Sequence, residues 1–306
     1  MIISTGGRTD TVRHYSDWLL RRFEEGYVLV RNPLSPKRVS RLELDPDKVD
    51  CVVFCSKDYA PILARLHEVT GRFNTYLHYT ITPYGTDVEP STPSFGQSAE
   101  TLAELSQLVG RQRVAWRYEP VLLTSKYTVD YHLDAFDRMA QRLAPFVDRC
   151  LFGFVEEHRA LRRNMPELVP LADGDRDELA RGFGLIAAKH AMAVQACGAQ
   201  GDFAHYGVRS SGCVTLEIVG RANGVEFAPR RHKGTRAGCE RIESRDIGAN
   251  GSCPSGCRYC YASPSPQRAA ENAARHDPSS PLLLGALGPD DQVFHPAQRP
   301  FPAKRA

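Results

Sequence analysis

The chain has 306 residues, 42% hydrophobic and 25% charged, a balance that excludes a mainly disordered, fibrous or collagen-like protein. Lys and Arg number 39 against 36 Asp and Glu, and the resulting +3 does not point to nucleic acid or an anionic membrane as a partner. The nine cysteines fall below disulfide-scaffold density, no stretch approaches the roughly 20 apolar residues that span a bilayer, and MIISTGGRTD is not signal-like, so a cytoplasmic protein without membrane contact is expected.

Short apolar runs at 2–5, 51–55, 75–81, 114–117, 150–155 and 191–196 alternate with segments of helical period. Such alternation reads as βα units, and the expected fold is α/β: a partial or complete parallel (β/α) barrel of TIM type. Between the first two runs, GYVLVRNPLSPKRVSRLEL reads as two strands turning at Asn32, Pro33, Ser35 and Pro36, a hairpin inserted into the first crossover. Ser16 and Gly26 bracket a helix, and further helices are expected over 98–109 and 130–143.

Past Gly212 the rhythm fades. Residues 229–241 carry Arg230, Arg231, Lys233, Arg236 and Arg241 against Glu240 and read as a connecting loop, basic enough to guide a phosphate-bearing substrate. A strand over 242–247 leads into ANGSCPSGCRYCYA, and the last 43 residues hold 8 of the 21 prolines. The expected organisation is a barrel over 1–228, a cysteine-rich segment over 229–263 that completes it, and a largely irregular tail over 264–306 with one short helix near 267–275.

Cys253, Cys257 and Cys260 stand as C-x3-C-x2-C in CPSGCRYC, where Gly251 and Gly256 free the backbone for a tight ligand loop. Three thiolates on one loop suit three corners of a [4Fe–4S] cube and leave the fourth iron without a ligand from this loop. An open iron binds the amino and carboxylate groups of S-adenosylmethionine and passes one electron to its sulfonium, which yields a 5′-deoxyadenosyl radical. In such chemistry the protein supplies position and exclusion of water.

With Tyr259 before its third cysteine, the motif resembles the radical SAM signature, and Tyr259 and Gly256 are assigned to cofactor binding on that basis. Almost end to end the chain also resembles an uncharacterised bacterial family of unknown function that shares barrel-strand features with the spore photoproduct lyase branch. The segments that carry this likeness are ISTGGRTD, HYSDWLL, GYVLVRNP, VDCVVF, TITPYGTDVEPSTPS, RVAWRYEPVLLT, HYGVRSSGC, DIGANGSCPSGCRYCYA and RHDPSSPLLLG. Because radical SAM domains carry the cysteine loop after their first strand, the resemblance implies a circularly permuted barrel in which 242–247 takes that strand's place. It implies an electron donor such as flavodoxin or ferredoxin, and an unidentified small-molecule or macromolecular substrate. The chain departs from the family at Cys55, Ser56, Lys57, Asp58 and Tyr59, where an aromatic-Thr-Lys-Asn-Pro run is common, and at Gly7, where a basic residue is frequent.

Two other readings of the triad stand beside this one: a structural zinc site completed by Cys239, and a non-enzymatic iron–sulfur redox or sensor protein. Cys197, Cys213 and Cys239 lie in or near the same matching segments and suggest a second cluster or a zinc ion, with buried packing as the competing account. Cys51, Cys55 and Cys150 fall in apolar runs and read as core thiols. Residues that end or follow barrel strands face the ligand-binding end, which selects Arg8, Asp10, Lys57, Arg117 and Glu119 as catalytic candidates. Arg117 and Glu119 share one side of an extended strand, so a simple ion pair competes with a catalytic role for them.

Overall fold

The computed structural model describes residues 1–198, 201–230 and 239–302. Eleven strands lie within them: β1 (Ile2–Ser4), β2 (Tyr27–Asn32), β3 (Ser35–Glu43), β4 (Cys51–Ser56), β5 (Thr75–Thr80), β6 (Val114–Val121), β7 (Arg149–Phe154), β8 (Ala193–Ala196), β9 (Arg209–Ser210), β10 (Ser244–Asp246) and β11 (Gln292–Phe294). Eight of these form one sheet in the order β10-β1-β4-β5-β6-β7-β8-β9, and every pairing in it is parallel. The antiparallel hairpin β2–β3 occupies the crossover from β1 to β4, as its turn residues predict.

Helices flank this sheet. Ser16–Glu25 ends where Gly26 adopts φ 76°, a left-handed conformation that costs glycine little. Phe95–Val109 starts on a capping box of Ser94 and Gln97, and Val129–Leu143 on a Thr128 cap. Asp173–Lys189 precedes β8. Beyond Gly212, where the sequence rhythm fades, a further helix spans Leu216–Asn223, capped by Thr215 and closed by Gly224.

Side-chain alternation separates two cores. Val52, Phe54, Leu77, Tyr79, Trp116, Tyr118, Cys150 and Phe152 pack outward with the helices in the main core. Ile2, Cys51, Val53, Tyr76, Ala115 and Leu151 point to the other face, where they meet Leu216, Ile218 and Val219. Asn223 holds the helix against the start of β5, bonding the Thr75 amide and carbonyl, each at 3.1 Å. This face is therefore mainly apolar and covered at the strands' N-terminal end, where the buried Arg149 donates to the Tyr76 hydroxyl at 2.7 Å. Toward the C-terminal ends the same inward positions become Cys55, His78, Arg117 and Glu119, and a cavity opens there.

Among the described residues no ladder joins β9 to β10, so the strand pairing defines an eight-stranded parallel sheet without a demonstrated barrel seam. One backbone hydrogen bond, Ile242 N to Val214 O at 2.9 Å, links the segments after β9 and before β10. The C-terminal stretch is largely irregular, as its prolines predict, with one short helix and a three-residue strand. After the helix Pro266–Ala274 it lends a carbonyl at Ser280 to the buried Trp18 indole (2.8 Å) and adds β11 parallel to β3. Asp291 fixes that strand by taking both guanidinium nitrogens of Arg31, at 2.6 and 2.7 Å. Of the basic stretch, Arg230 bridges Glu243, whereas Arg231, Lys233 and Arg236 lie outside the described residues. Among the described residues no helix is long and apolar enough to cross a membrane.

Candidate functional site

A cavity of about 420 Å³ lies at the C-terminal ends of the parallel strands. Its wall brings together Arg8, Asp10, Lys57, Arg117 and Glu119 with Cys253, Cys257, Tyr259 and Cys260. These residues are up to 252 positions apart in the chain, and the parallel order of β10, β1, β4 and β6 is what gathers them.

The exit of β1 is the tightest part. A side chain at Gly6 would overlap the Cys55 carbonyl, and one at Gly7 would put its Cβ 2.7 Å from Asp246 Oδ2. Without side chains, the Gly7 amide donates to Asp246 Oδ2 at 2.6 Å, and Gly248 donates to the other oxygen at 3.0 Å. Burial raises the Asp246 pKa, and these two amides oppose the rise. Thr9 bonds Ala249 O and Ser252 Oγ, Tyr15 donates to Ser252 O (2.5 Å), and Tyr261 donates to Gly7 O (2.9 Å). The loop after β1 and the cysteine loop after β10 are thus fastened along their length.

The cysteine loop is held on its other sides too. Gly256, at φ 73°, turns the chain beside Pro90 and does not itself line the cavity. Ser91 donates to Ser255 O at 2.8 Å, His14 Nε2 meets Ser255 Oγ at 2.7 Å, and Arg258 reaches Asn164 O at 2.6 Å. The Cys253 amide donates to Ser263 Oγ (3.2 Å), and the Cys260 amide to Cys257 O (3.0 Å). Burial pushes the Cys257 thiol up to about 12, with Lys57 opposing, and burial raises Cys260 as well.

Each catalytic candidate now has a distinct environment. Asp10 is saturated: it accepts from Ser56 Oγ (2.6 Å), Lys57 N (2.9 Å) and Arg13 N (3.1 Å), and it caps the turn Thr11–His14. Burial raises its pKa against those bonds. Lys57 Nζ pairs with Glu89 Oε1 at 2.8 Å, and the same oxygen accepts from Thr82 (2.7 Å) and from the Tyr259 hydroxyl (2.5 Å). Glu89 is only 3% exposed. Arg117 does form the ion pair that competes with a catalytic role, Nη2 to Glu119 Oε2 at 2.5 Å, and its Nη1 donates to Cys55 Sγ at 2.8 Å. Burial disfavours the Arg117 charge, but Cys55 and Glu119 outweigh it and raise its pKa. Arg8 makes no hydrogen bond or ion pair among the described residues.

Sequence reasoning missed Glu89 and the role of Cys55. Glu89 sits in the loop TDVEP, and its one signal was the proximity of that loop to a strand end. Cys55 looks like core because Cys51 and Val53 precede it on the same face, yet it lies where that face meets the cavity. Of the second cysteine set, Cys197 and Cys213 lie in one buried cluster, where the neighbouring Cys213 and burial push the Cys197 thiol up. Cys213 lines the cavity. Cys239 is not among its lining residues, although the chain beside it packs close, since a Cβ at Gly212 would overlap the Glu240 carbonyl. No described cysteine is in a disulfide.

The profile of a domain of unknown function, DUF1848, matches residues 2–262. The chain belongs to the DUF1848 family. The family's span covers the whole parallel sheet and the cysteine loop, and ends where the Pro-rich segment begins. No curated protein matches the chain.

Among the described residues no three His, Cys, Asp or Glu side chains are gathered tightly enough to hold one metal ion. The ligands of an iron–sulfur cube bind different irons, so they stand farther apart than the ligands of a single ion. Three thiols from one anchored loop, turned to one cavity, are a donor set that suits such a cube chemically.

Proposed function

We propose that the protein is a radical SAM enzyme, in which Cys253, Cys257 and Cys260 hold a [4Fe–4S] cluster and the cavity receives S-adenosylmethionine and a substrate. The observation that carries this reading is the opening of all three thiols onto the cavity that the polar ends of β1, β4 and β6 also line. The position of β10 beside β1 supports it, because the cysteine loop then leaves the sheet as if β10 were its first strand. We read the sheet as a partial barrel in that permuted order.

When bound, the cluster supplies the electron that cleaves S-adenosylmethionine and so starts hydrogen abstraction. The chain's own residues orient and shield. The Glu89 carboxylate, shared by Lys57, Thr82 and Tyr259, fixes the loop between its second and third cysteines against β4. The Arg117–Glu119 pair and Cys55 form a rigid polar wall against which a substrate hydrogen is positioned, and positioning sets selectivity because a radical attacks what is nearest. An electron donor of the flavodoxin or ferredoxin kind completes the cycle.

The test is to incubate the reduced, reconstituted protein with S-adenosylmethionine and search for 5′-deoxyadenosine by mass spectrometry. Formation of that product is expected. Its persistent absence despite a full, reducible cluster would favour a redox-sensing or electron-transfer role.

A further inference from the structure

The charged groups around the cavity differ in whether the fold already uses them. Lys57 is neutralised by Glu89 and Arg117 by Glu119. Asp10 and Asp246 are occupied by backbone and hydroxyl donors, and Glu157 is bridged by Arg162. Two cations remain. Arg8 has no hydrogen bond or ion pair among the described residues, and Arg241 has only the neutral Ser244 hydroxyl, at 2.7 Å. The Arg241 Nε is also a buried nitrogen with no hydrogen-bond partner.

Both arginines line the cavity although 233 positions apart, and each is tied to β10 near Asp246: Arg241 through the Ser244 hydroxyl, Arg8 through the amide of its neighbour Gly7. Arg8 leaves a backbone that is fixed by the Gly7–Asp246 and Tyr261–Gly7 hydrogen bonds, so its guanidinium springs from a rigid base. Both guanidiniums act on the Asp246 carboxylate, whose two oxygens already accept the Gly7 and Gly248 amides, and a planar guanidinium matches a further carboxylate or phosphate with two parallel hydrogen bonds.

We propose that Arg8 and Arg241 form an oxyanion subsite in the cavity wall, which takes a carboxylate or phosphate group carried by the substrate. The assignment to the substrate rests on reading the cavity as a radical SAM active site; the subsite itself does not, and its test needs no cluster chemistry.

The full chain is titrated by calorimetry with inorganic phosphate and, separately, with acetate. Saturable binding of at least one anion is expected, and the stronger of the two shows which group the substrate carries. Arg8→Gln should weaken it about tenfold or more, as should Arg241→Gln, the loss expected for a charge-assisted hydrogen bond. Because Arg8 makes no hydrogen bond within the described fold and acts on it only through the Asp246 charge, Arg8→Gln should lower the melting temperature only slightly. Absence of saturable binding, or binding unchanged in both variants, would overturn the proposal. Repeating the titration with saturating S-adenosylmethionine separates the sources: unchanged affinity assigns the subsite to the substrate, and competition would overturn that assignment in favour of the methionine carboxylate. A protein that binds anions through Arg8 but never forms 5′-deoxyadenosine keeps the subsite and loses the radical reading.

Discussion

Glu89 holds three donors on a single buried oxygen, and two of them come from opposite sides of the site, Lys57 at the end of β4 and Tyr259 in the cysteine loop. Removing one member of such a buried pair leaves the other charged and unsatisfied. Glu89→Ala should therefore destabilise the protein by about 3 kcal/mol or more, read as a drop in denaturation midpoint. Tyr259→Phe keeps the ring and should cost only about 1 kcal/mol. Equal losses in the two variants would contradict the shared-oxygen account. A second residue contributes to the response to pH, beside His14 and His78, whose pKa values burial also lowers. His132 is buried between the Tyr118 hydroxyl (2.8 Å) and the Leu122 carbonyl (2.9 Å), and burial lowers its pKa to about 4. The unfolded chain then takes up the proton first, near the ordinary 6.5. Stability should be full above that value, fall as pH drops and level off below about 4, a loss on the order of 3 kcal/mol. Urea unfolding at neutral and mildly acidic pH measures this fall, and His132→Gln should make it shallower.

At the scale of elements, the site depends on how closely β1 approaches its neighbours. Gly6 leaves no room for a Cβ beside the Cys55 carbonyl, which is backbone and cannot move aside. Gly6→Ala should cost about 3 kcal/mol or more and disturb the cavity wall, whereas Gly174→Ala, where nothing lies near, should be neutral or stabilising. Thermal unfolding of both variants checks the contrast. The strands themselves are legible in sequence because apolar runs and their spacing are local signals, and β1, β4, β5, β6, β7 and β8 fall within or beside their expected runs. The inserted hairpin is legible for the same reason, through its turn residues. β9 has two residues and β11 three, too short for a periodic signal, and β11 is held by its ladder with β3 and by the Arg31–Asp291 bridge to β2. That stretch otherwise matches its composition, with one helix at Pro266–Ala274 near the expected 267–275 and little other regular structure; proline forbids continuous helix but not an edge strand. Glu89 escaped notice because burial of a loop carboxylate is decided by partners far away in sequence, at Lys57 and Tyr259.

For the whole molecule, the central feature is that the chain's late segment returns to its beginning. β10 pairs with β1, Asp246 caps the Gly7 amide, and the cysteine loop packs across the ends of strands laid down more than a hundred residues earlier. The candidate site is thus assembled from residues on or just after β1, β4 and β6 and the loop after β10. What it holds is the claim most open to direct measurement. Anaerobic reconstitution of the parent chain and of the Cys253→Ala, Cys257→Ala, Cys260→Ala triple variant, with iron, sulfide and zinc quantified and the reduced samples examined by electron paramagnetic resonance, addresses it. The parent should carry about four irons and four sulfides per chain with a reduced-cluster signal, and the triple variant should have lost both. Zinc in place of iron in the parent, or an unchanged cluster signal in the triple variant, would contradict the account.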